Sequence, residues 1–316
     1  MSNHTNVTTT QHSSRPILTV GSVAFDSVKT PFGEVSRVVA GAATYFSIAA
    51  SFFTDVRLVG VVGQDFQDEH MAVFADRRID LAGLQQVDGS TFRWRGEYSF
   101  DLNTRETIYT HLNVFETFRP VIPDAFRSSP MVFLANIHPS LQLDVLDQVA
   151  EPEFVALDTM NYWIEGTPDE LAKVLARVNV LIINDEEARE LSGESNLVKA
   201  AKEIMRRGPQ RVVIKRGEYG VLMTQGDGFF ALPGLPLEDV YDPTGAGDTF
   251  AGGFVGYLAS AQTMDDETVA QAIIAGSTMA SFAVEDFGLD RLLRLKRPEI
   301  TARFAEFKQL THFDAL

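Results

Sequence analysis

The chain has 316 residues, 45% hydrophobic and 22% charged, with no cysteine and a net charge of −16 from 27 Lys and Arg against 43 Asp and Glu. Such a composition suits a globular chain long enough for one large α/β domain or two smaller ones, and it excludes a disulfide scaffold, cysteine-ligated zinc, an iron–sulfur cluster and a thiol nucleophile. The acidic balance argues against affinity for nucleic acid or an anionic membrane, so a phosphorylated ligand must be met by local devices.

Met1 to Ser14 is polar and Thr-rich, without the basic start and apolar middle of a secretion signal, and reads as a disordered tail. No run of eighteen apolar residues suggests a membrane span, and a cytoplasmic location is expected. The acidic, Lys-poor surface fits either a salt-rich cytosol or an ordinary acidic cytosolic enzyme. From residue 15 to 316 short β-rich runs alternate with helical periodicity, the mark of βαβ units in one compact domain. The expected strands are Ile17 to Val20, Val56 to Val62, Met131 to Ala135, Phe154 to Leu157, Val180 to Ile183 and Arg211 to Ile214. Between them, helices are expected at Gly41 to Phe53, Phe66 to Arg77, Pro139 to Val149, Pro168 to Arg177 and Asn196 to Arg207. Near-continuous apolar strands imply a doubly wound, mostly parallel sheet covered on both faces.

Two stretches break the rhythm. Ser27 to Val39 and Thr91 to Leu112 alternate in polar-rich β fashion, with a turn at Asp101 to Thr104, and predict a small antiparallel lid over about 27–39 and 90–113. A free edge of that lid sheet offers a route to a homodimer. Within it, Phe92-Arg93-Trp94-Arg95 either sends Arg93 or Arg95 to an anionic or hydroxyl-rich ligand or forms an amphipathic strand with its aromatics packed on the lid. A hairpin, Val221 to Thr224 and Phe229 to Leu232, and helices at Gly245 to Ala261, Asp266 to Val284 and Arg297 to Leu310 complete the chain.

Ligands of an open parallel sheet bind beyond the carboxyl ends of its strands. There stand Asn136, Asp158, Asn184 and Lys215-Arg216-Gly217, polar in every case. The strongest local signal is Asp242-Pro243-Thr244-Gly245-Ala246-Gly247-Asp248-Thr249-Phe250-Ala251-Gly252-Gly253. Three small residues enter a helix there, so its first free N–H groups can converge on an anion. Asp248, in that first turn, is placed to take a proton from a hydroxyl attacking a phosphoryl group. The plainer alternatives are a helix-end charge for Asp248 and close helix packing for the glycines. The six histidines show no pair at metal-ligand spacing.

This segment resembles the C-terminal signature of the ribokinase-like (PfkB) carbohydrate kinases. Val20 to Asp26, Ala40 to Thr44, Val59 to Asp65, Asn184 to Ala188 and Lys215 to Gly220 resemble further motifs of that family in the same order, from about residue 17 to 290. The resemblance implies a ribokinase-like fold and transfer of the γ-phosphoryl group of ATP to a sugar-like small molecule. It implies Asp248 as base and Gly245, Ala246 and Gly247 as anion hole; Asn184, Lys215, Gly217, Gly220 and Ser277 toward ATP; and Asp26, Gly41 and Asn136, with Asp248, toward substrate. Glu187 would hold Mg2+ through water, and Asp242 and Thr244 mark a place for K+. Departures from the family pattern include Ala40, Tyr45 in place of a substrate-binding Asn, Lys215 in place of Thr, and one residue inserted in Asp158 to Trp163. Other readings are a nucleoside kinase of the same fold, with Tyr45 and Phe46 stacking on a base, and a sugar-sensing homologue that has lost catalysis.

Overall fold

In the computed structural model, which describes residues 15–312, the expected tail at Met1 to Ser14 lies outside the described residues. The strands are β1 (Ile17–Val20), β2 (Ala24–Thr30), β3 (Gly33–Ala40), β4 (Val56–Gly63), β5 (Ile79–Val87), β6 (Phe92–Tyr98), β7 (Arg105–His111), β8 (Met131–Leu134), β9 (Phe154–Asp158), β10 (Val180–Asn184), β11 (Arg211–Lys215), β12 (Val221–Gln225) and β13 (Gly228–Leu232). The helices are α1 (Ala42–Ala50), α2 (Asp68–Met71), α3 (Pro139–Gln148), α4 (Asn161–Gly166), α5 (Pro168–Leu175), α6 (Asp185–Ser192), α7 (Leu197–Met205), α8 (Ala246–Ser260), α9 (Asp266–Ala283), α10 (Asp290–Arg294) and α11 (Arg297–Leu310).

The main sheet runs β13-β12-β11-β10-β9-β8-β1-β4-β5, and only the β11–β12 and β12–β13 pairs are antiparallel. Because side chains alternate along a strand, each apolar run feeds two layers. Leu18, Val20, Val132, Leu134, Val155 and Leu157 pack with residues of α3, α5, α6 and α7. Ile17, Met131, Phe133, Phe154 and Ala156 pack on the opposite face with α1, α8, α9 and α11. There the rings of Phe46 and Phe133 stack at 4.0 Å and 6°. The glycines inside α8 serve this layer: a Cβ on Gly252 would stand 2.4 Å from the Phe46 carbonyl oxygen, and one on Gly253 2.9 Å from that of Ala275. The chain leaves β1 toward β4 on one side and returns beside it as β8 on the other, so the strand order reverses between β1 and β8 and opens a crevice at their carboxyl ends.

The second sheet, β3-β2-β6-β7, is the expected lid. Its outer pairs are antiparallel, but β2 and β6 run parallel, because they come from two separate insertions rather than from one meander. Two expectations change in kind. The helix expected at Phe66 to Arg77 contracts to α2 and a 3-10 turn at Ala72–Phe74: Phe66 and Phe74 are buried, while α2 buries none of its residues. Strand β5 is absent from the sequence reading because it is a half-polar edge strand without an apolar run.

Phe133→Ala removes the ring stacked on Phe46 and opens a cavity between fully buried neighbours. It should destabilise the protein by about 3–5 kcal/mol, measured by urea unfolding; a loss below about 1 kcal/mol would mean that this layer repacks freely.

Candidate active site

Three adjacent strands deliver charged or polar groups to one edge. Asp158 ends β9, Asn184 ends β10 and Lys215 ends β11, with Asn184 and Lys215 directly paired across the sheet. The Lys215 ammonium lies 4.0 Å from the Asp158 carboxylate. Burial alone would depress this ammonium, yet Asp158, Glu187 and Asp248 outweigh it and hold the Lys215 pKa above its ordinary value.

Opposite them begins α8. Its N-cap, Gly245, adopts a left-handed conformation with φ 75°, and a Cβ there would stand 2.5 Å from the Tyr45 ring, so glycine is required on two counts. The Ala246 N–H closes a turn onto the Pro243 carbonyl at 3.2 Å. The Gly245 and Gly247 N–H groups make no hydrogen bond among the described residues and are open to an anion. A Cβ on Gly247 would stand 2.8 Å from the Lys215 ammonium, which therefore sits at the mouth of this pocket. Asp248 follows in the same turn. Burial, aided by the charge of Asp158 and opposed by Lys215, raises its carboxyl to about 7.

Asn184 and Glu187 form a capping box. The Asn184 Oδ1 accepts from the Glu187 N–H at 2.8 Å, and the Glu187 Oε2 accepts from the Asn184 N–H at 3.0 Å. This fixes the Glu187 carboxyl at the strand edge, where burial, opposed by Lys215 and aided by Asp158, raises it to about 7. Gly217 and Gly220 lie just beyond β11, bounding a 3-10 turn. In α9, the Ser277 hydroxyl oxygen is buried and has no partner among the described residues.

On the other side of the crevice stand Asp26 on β2 and Gly41, the N-cap of α1. Gly41 has φ 104°, and a Cβ there would stand 2.4 Å from the Ser22 carbonyl oxygen. Burial, with the nearby charges of Asp242 and Asp248, raises the Asp26 carboxyl to about 8, while Arg105 opposes them. Asn136 follows β8, but its amide is engaged: its Oδ1 accepts from the Trp163 indole at 2.8 Å and its Nδ2 faces the Met160 sulfur at 3.1 Å. Asp242 is buried as a clamp, accepting from the Thr244 N–H at 2.9 Å and the Gly288 N–H at 3.1 Å. The Thr244 hydroxyl donates to the Tyr98 phenol oxygen at 3.1 Å, tying lid to loop.

The structure thus gathers Asp26, Asp158, Glu187, Lys215 and Asp248 into one charged cleft. Neither aromatic expected to stack on a base is free to do so: Phe46 lies in the core against Phe133, and the Tyr45 ring covers Gly245. Arg93 is held by Asp65 at 2.8 Å, and Arg95 by Glu34 at 3.0 Å. The lid residues that turn inward are Tyr98 and Arg105, which the sequence reading passed over. The expected turn at Asp101 to Thr104 contained the signal, since that turn sets Tyr98 opposite Arg105.

The comparisons with known proteins bear on the fold and the family. A cytidine kinase of Thermococcus kodakarensis is 27% identical over 256 residues, covering 79% of this chain and 91% of that protein. The Burkholderia thailandensis nucleoside kinase, solved in complex with inosine, shares the fold with a TM-score of 0.73 at 20% identity, over 92% of this chain and 98% of that one. An Arabidopsis thaliana ribokinase complexed with ribose and ATP superposes with a TM-score of 0.73 at 19% identity, over 92% and 99% of the two chains. Residues 14–294 match the family model described as pfkB family carbohydrate kinase, and the chain belongs to that family.

Proposed function

We propose that this protein is an ATP-dependent kinase that transfers the γ-phosphoryl group to a hydroxyl of a small sugar or sugar-like molecule. The observation that carries the reading is the start of α8, where the Asp248 carboxyl stands beside the open N–H groups of Gly245 and Gly247, under the Lys215 ammonium. A carboxylate beside an anion pocket can remove the proton from an acceptor hydroxyl as its oxygen meets the phosphoryl group. The acceptor proton passes to Asp248, the acceptor oxygen bonds to the γ-phosphorus, and the bond to the β,γ-bridging oxygen breaks, leaving ADP. Charge on the transferring group is met by the Gly245 and Gly247 N–H groups and by Lys215. The Ala246 N–H, spent on Pro243, contributes less than its neighbours.

On this reading the nucleotide lies along Asn184, Lys215, Gly217, Gly220 and Ser277, and the acceptor along Asp26 and Gly41, with Asn136 held back by Trp163. Mg2+ fits the carboxyls of Glu187 and Asp158, which are raised by burial and would be relieved by a cation, and when bound it would neutralise the phosphates. Each Asp242 oxygen accepts one N–H and the Thr244 hydroxyl donates to Tyr98, which leaves lone pairs on all three oxygens for a K+ ion, and no step depends on it. A homodimer through the lid would pair the edge strands β3 or β7. A second reading, a nucleoside as acceptor, is favoured by the similarity to cytidine kinase over most of the chain. It shares the chemistry, since a nucleoside offers a ribose hydroxyl. A silent sugar-binding homologue would have no use for a base beside an open anion pocket.

Asp248→Asn keeps the shape and removes the base. It should lower kcat by about 10²–10⁴-fold with ATP affinity little changed; ADP release near the wild-type rate, scored on sugars, polyols and nucleosides, would remove Asp248 from this role. Because Asp248 acts only when ionised and its carboxyl is raised to about 7, kcat/KM should be retained above that pH and fall below it. A profile flat from about pH 6 to 8.5 would contradict that assignment. Glu187→Gln should raise the Mg2+ concentration for half-maximal rate by about 10-fold or more; an unchanged titration would take Glu187 out of the metal's surroundings.

A further inference from the structure

We propose that Arg105, carried on the lid, is a catalytic residue: its guanidinium grips the transferring phosphoryl group from the side opposite the anion pocket, facing Lys215 across it. The inference rests on the kinase reading above and adds a residue to it.

The placement begins with register. Tyr98 at the end of β6 and Arg105 at the start of β7 are direct cross-strand partners, so their side chains leave the lid on the same face. Tyr98 shows where that face points, because its phenol oxygen accepts from the Thr244 hydroxyl at 3.1 Å, one residue before the helix cap Gly245. The positive field of Arg105 acts on the same phenol. The hairpin tip continues over the cleft, with the Asn103 Oδ1 3.9 Å from where a Cβ on Gly217 would stand.

Arg105 also has a built support. Gly96 lacks a side chain where the Trp94 indole folds over it, a Cβ there falling 2.1 Å from the ring, and the Arg105 guanidinium lies 5.2 Å from the centroid of that indole. A cation over an indole face is held without being neutralised. Unlike Arg93 and Arg95, Arg105 makes no ion pair among the described residues. Its planar fork keeps donors to spare, in the geometry that matches phosphoryl oxygens.

Charge inventory supplies the need. The cleft gathers Asp26, Asp158, Glu187, Asp242 and Asp248, and among the described residues Lys215 and Arg105 are the cations whose fields oppose the raised carboxyls there. The field of Arg105 reaches both Asp26, toward the acceptor, and Glu187, toward the nucleotide. Its cross-strand partner Tyr98 meets Thr244 beside the anion pocket, so the lid face that carries Arg105 lies over the place where the phosphoryl group would pass. Arg105 forms and breaks no covalent bond; it stabilises charge on the oxygens in flight and arrives with the lid, so closure excludes water and completes the site together.

The test compares wild type, Arg105→Ala and Arg105→Lys by steady-state kinetics with Mg2+, ATP and an acceptor found in an ADP-release screen of sugars, polyols and nucleosides. Arg105→Ala should lose about 10²–10³-fold in kcat, with KM for ATP and acceptor within about threefold, and it should melt with the wild type because Arg105 is exposed. Arg105→Lys, which keeps charge but loses the fork, should fall between them. Guanidinium chloride at non-denaturing concentration should raise the rate of Arg105→Ala at least about 10-fold and leave the wild type unchanged. A kcat for Arg105→Ala within threefold of an active wild type, a change confined to acceptor KM, or a lost rate that guanidinium does not restore would each overturn the role of Arg105 alone. A wild type that releases no ADP with any hydroxyl acceptor would overturn the kinase reading, and the role of Arg105 with it.

Discussion

The site depends on one uncomfortable arrangement: a single ammonium, Lys215, set among three carboxyls, one buried and two half-buried, at the end of a parallel sheet. Removing these groups from water penalises every charge, and the raised carboxyls of Asp158, Glu187 and Asp248 record that penalty. Lys215 repays part of it and is itself held charged by the same neighbours. The balance works because strand register, not chain flexibility, fixes the partners. Asp158, Asn184 and Lys215 are terminal residues of three hydrogen-bonded strands, and the start of α8 brings Asp248 to face them. Such a cleft favours a cationic group on the carboxyl side and an anionic one at the helix end.

The lid belongs to the same arrangement rather than to a separate module. The segment 241–245 is touched from above at two points: by the Thr244–Tyr98 hydrogen bond, and by Phe32, whose ring meets Tyr241 edge-on at 6.1 Å. From below, the Asp242 carboxylate bridges the Thr244 and Gly288 N–H groups. Any movement of the lid therefore acts on the loop that sets the direction of α8 and of its open N–H groups. Water exclusion and anion binding are thereby joined through a few named contacts.

What the sequence showed clearly is what depends on local pattern. Doubly buried strands announce themselves as apolar runs, the small residues before Asp248 announce a helix start with an open anion pocket, and Asn184 with Glu187 reads equally as a family motif and as a capping box. What it concealed depends on pairing. Whether β2 and β6 run parallel cannot be told from two alternating stretches 60-odd residues apart. The engagement of Asn136 by Trp163 needs the position of α4, a helix too short to show periodicity. Arg105 was hidden for a similar reason. By composition it is one more arginine on an exposed strand, and only its partner across the hairpin, Tyr98, shows that it faces inward.

A net charge of −16 counts every one of the 43 carboxylic side chains as ionised. In the cleft that count misleads. With its carboxyl raised to about 8, Asp26 holds its proton at neutral pH, and Glu187 and Asp248, raised to about 7, are close to half-protonated. The groups nearest to where the phosphates would lie are thus the least ionised, so the barrier that an acidic chain presents to a polyanion is lowest at its binding place. A cation entering beside the phosphates favours the ionised carboxyls and drives off their protons. On the proposed reading, negative charge on Asp248 would develop together with the ligand it is to act on, and the acidity of the chain, which first argued against phosphate binding, would become part of how the base is switched on.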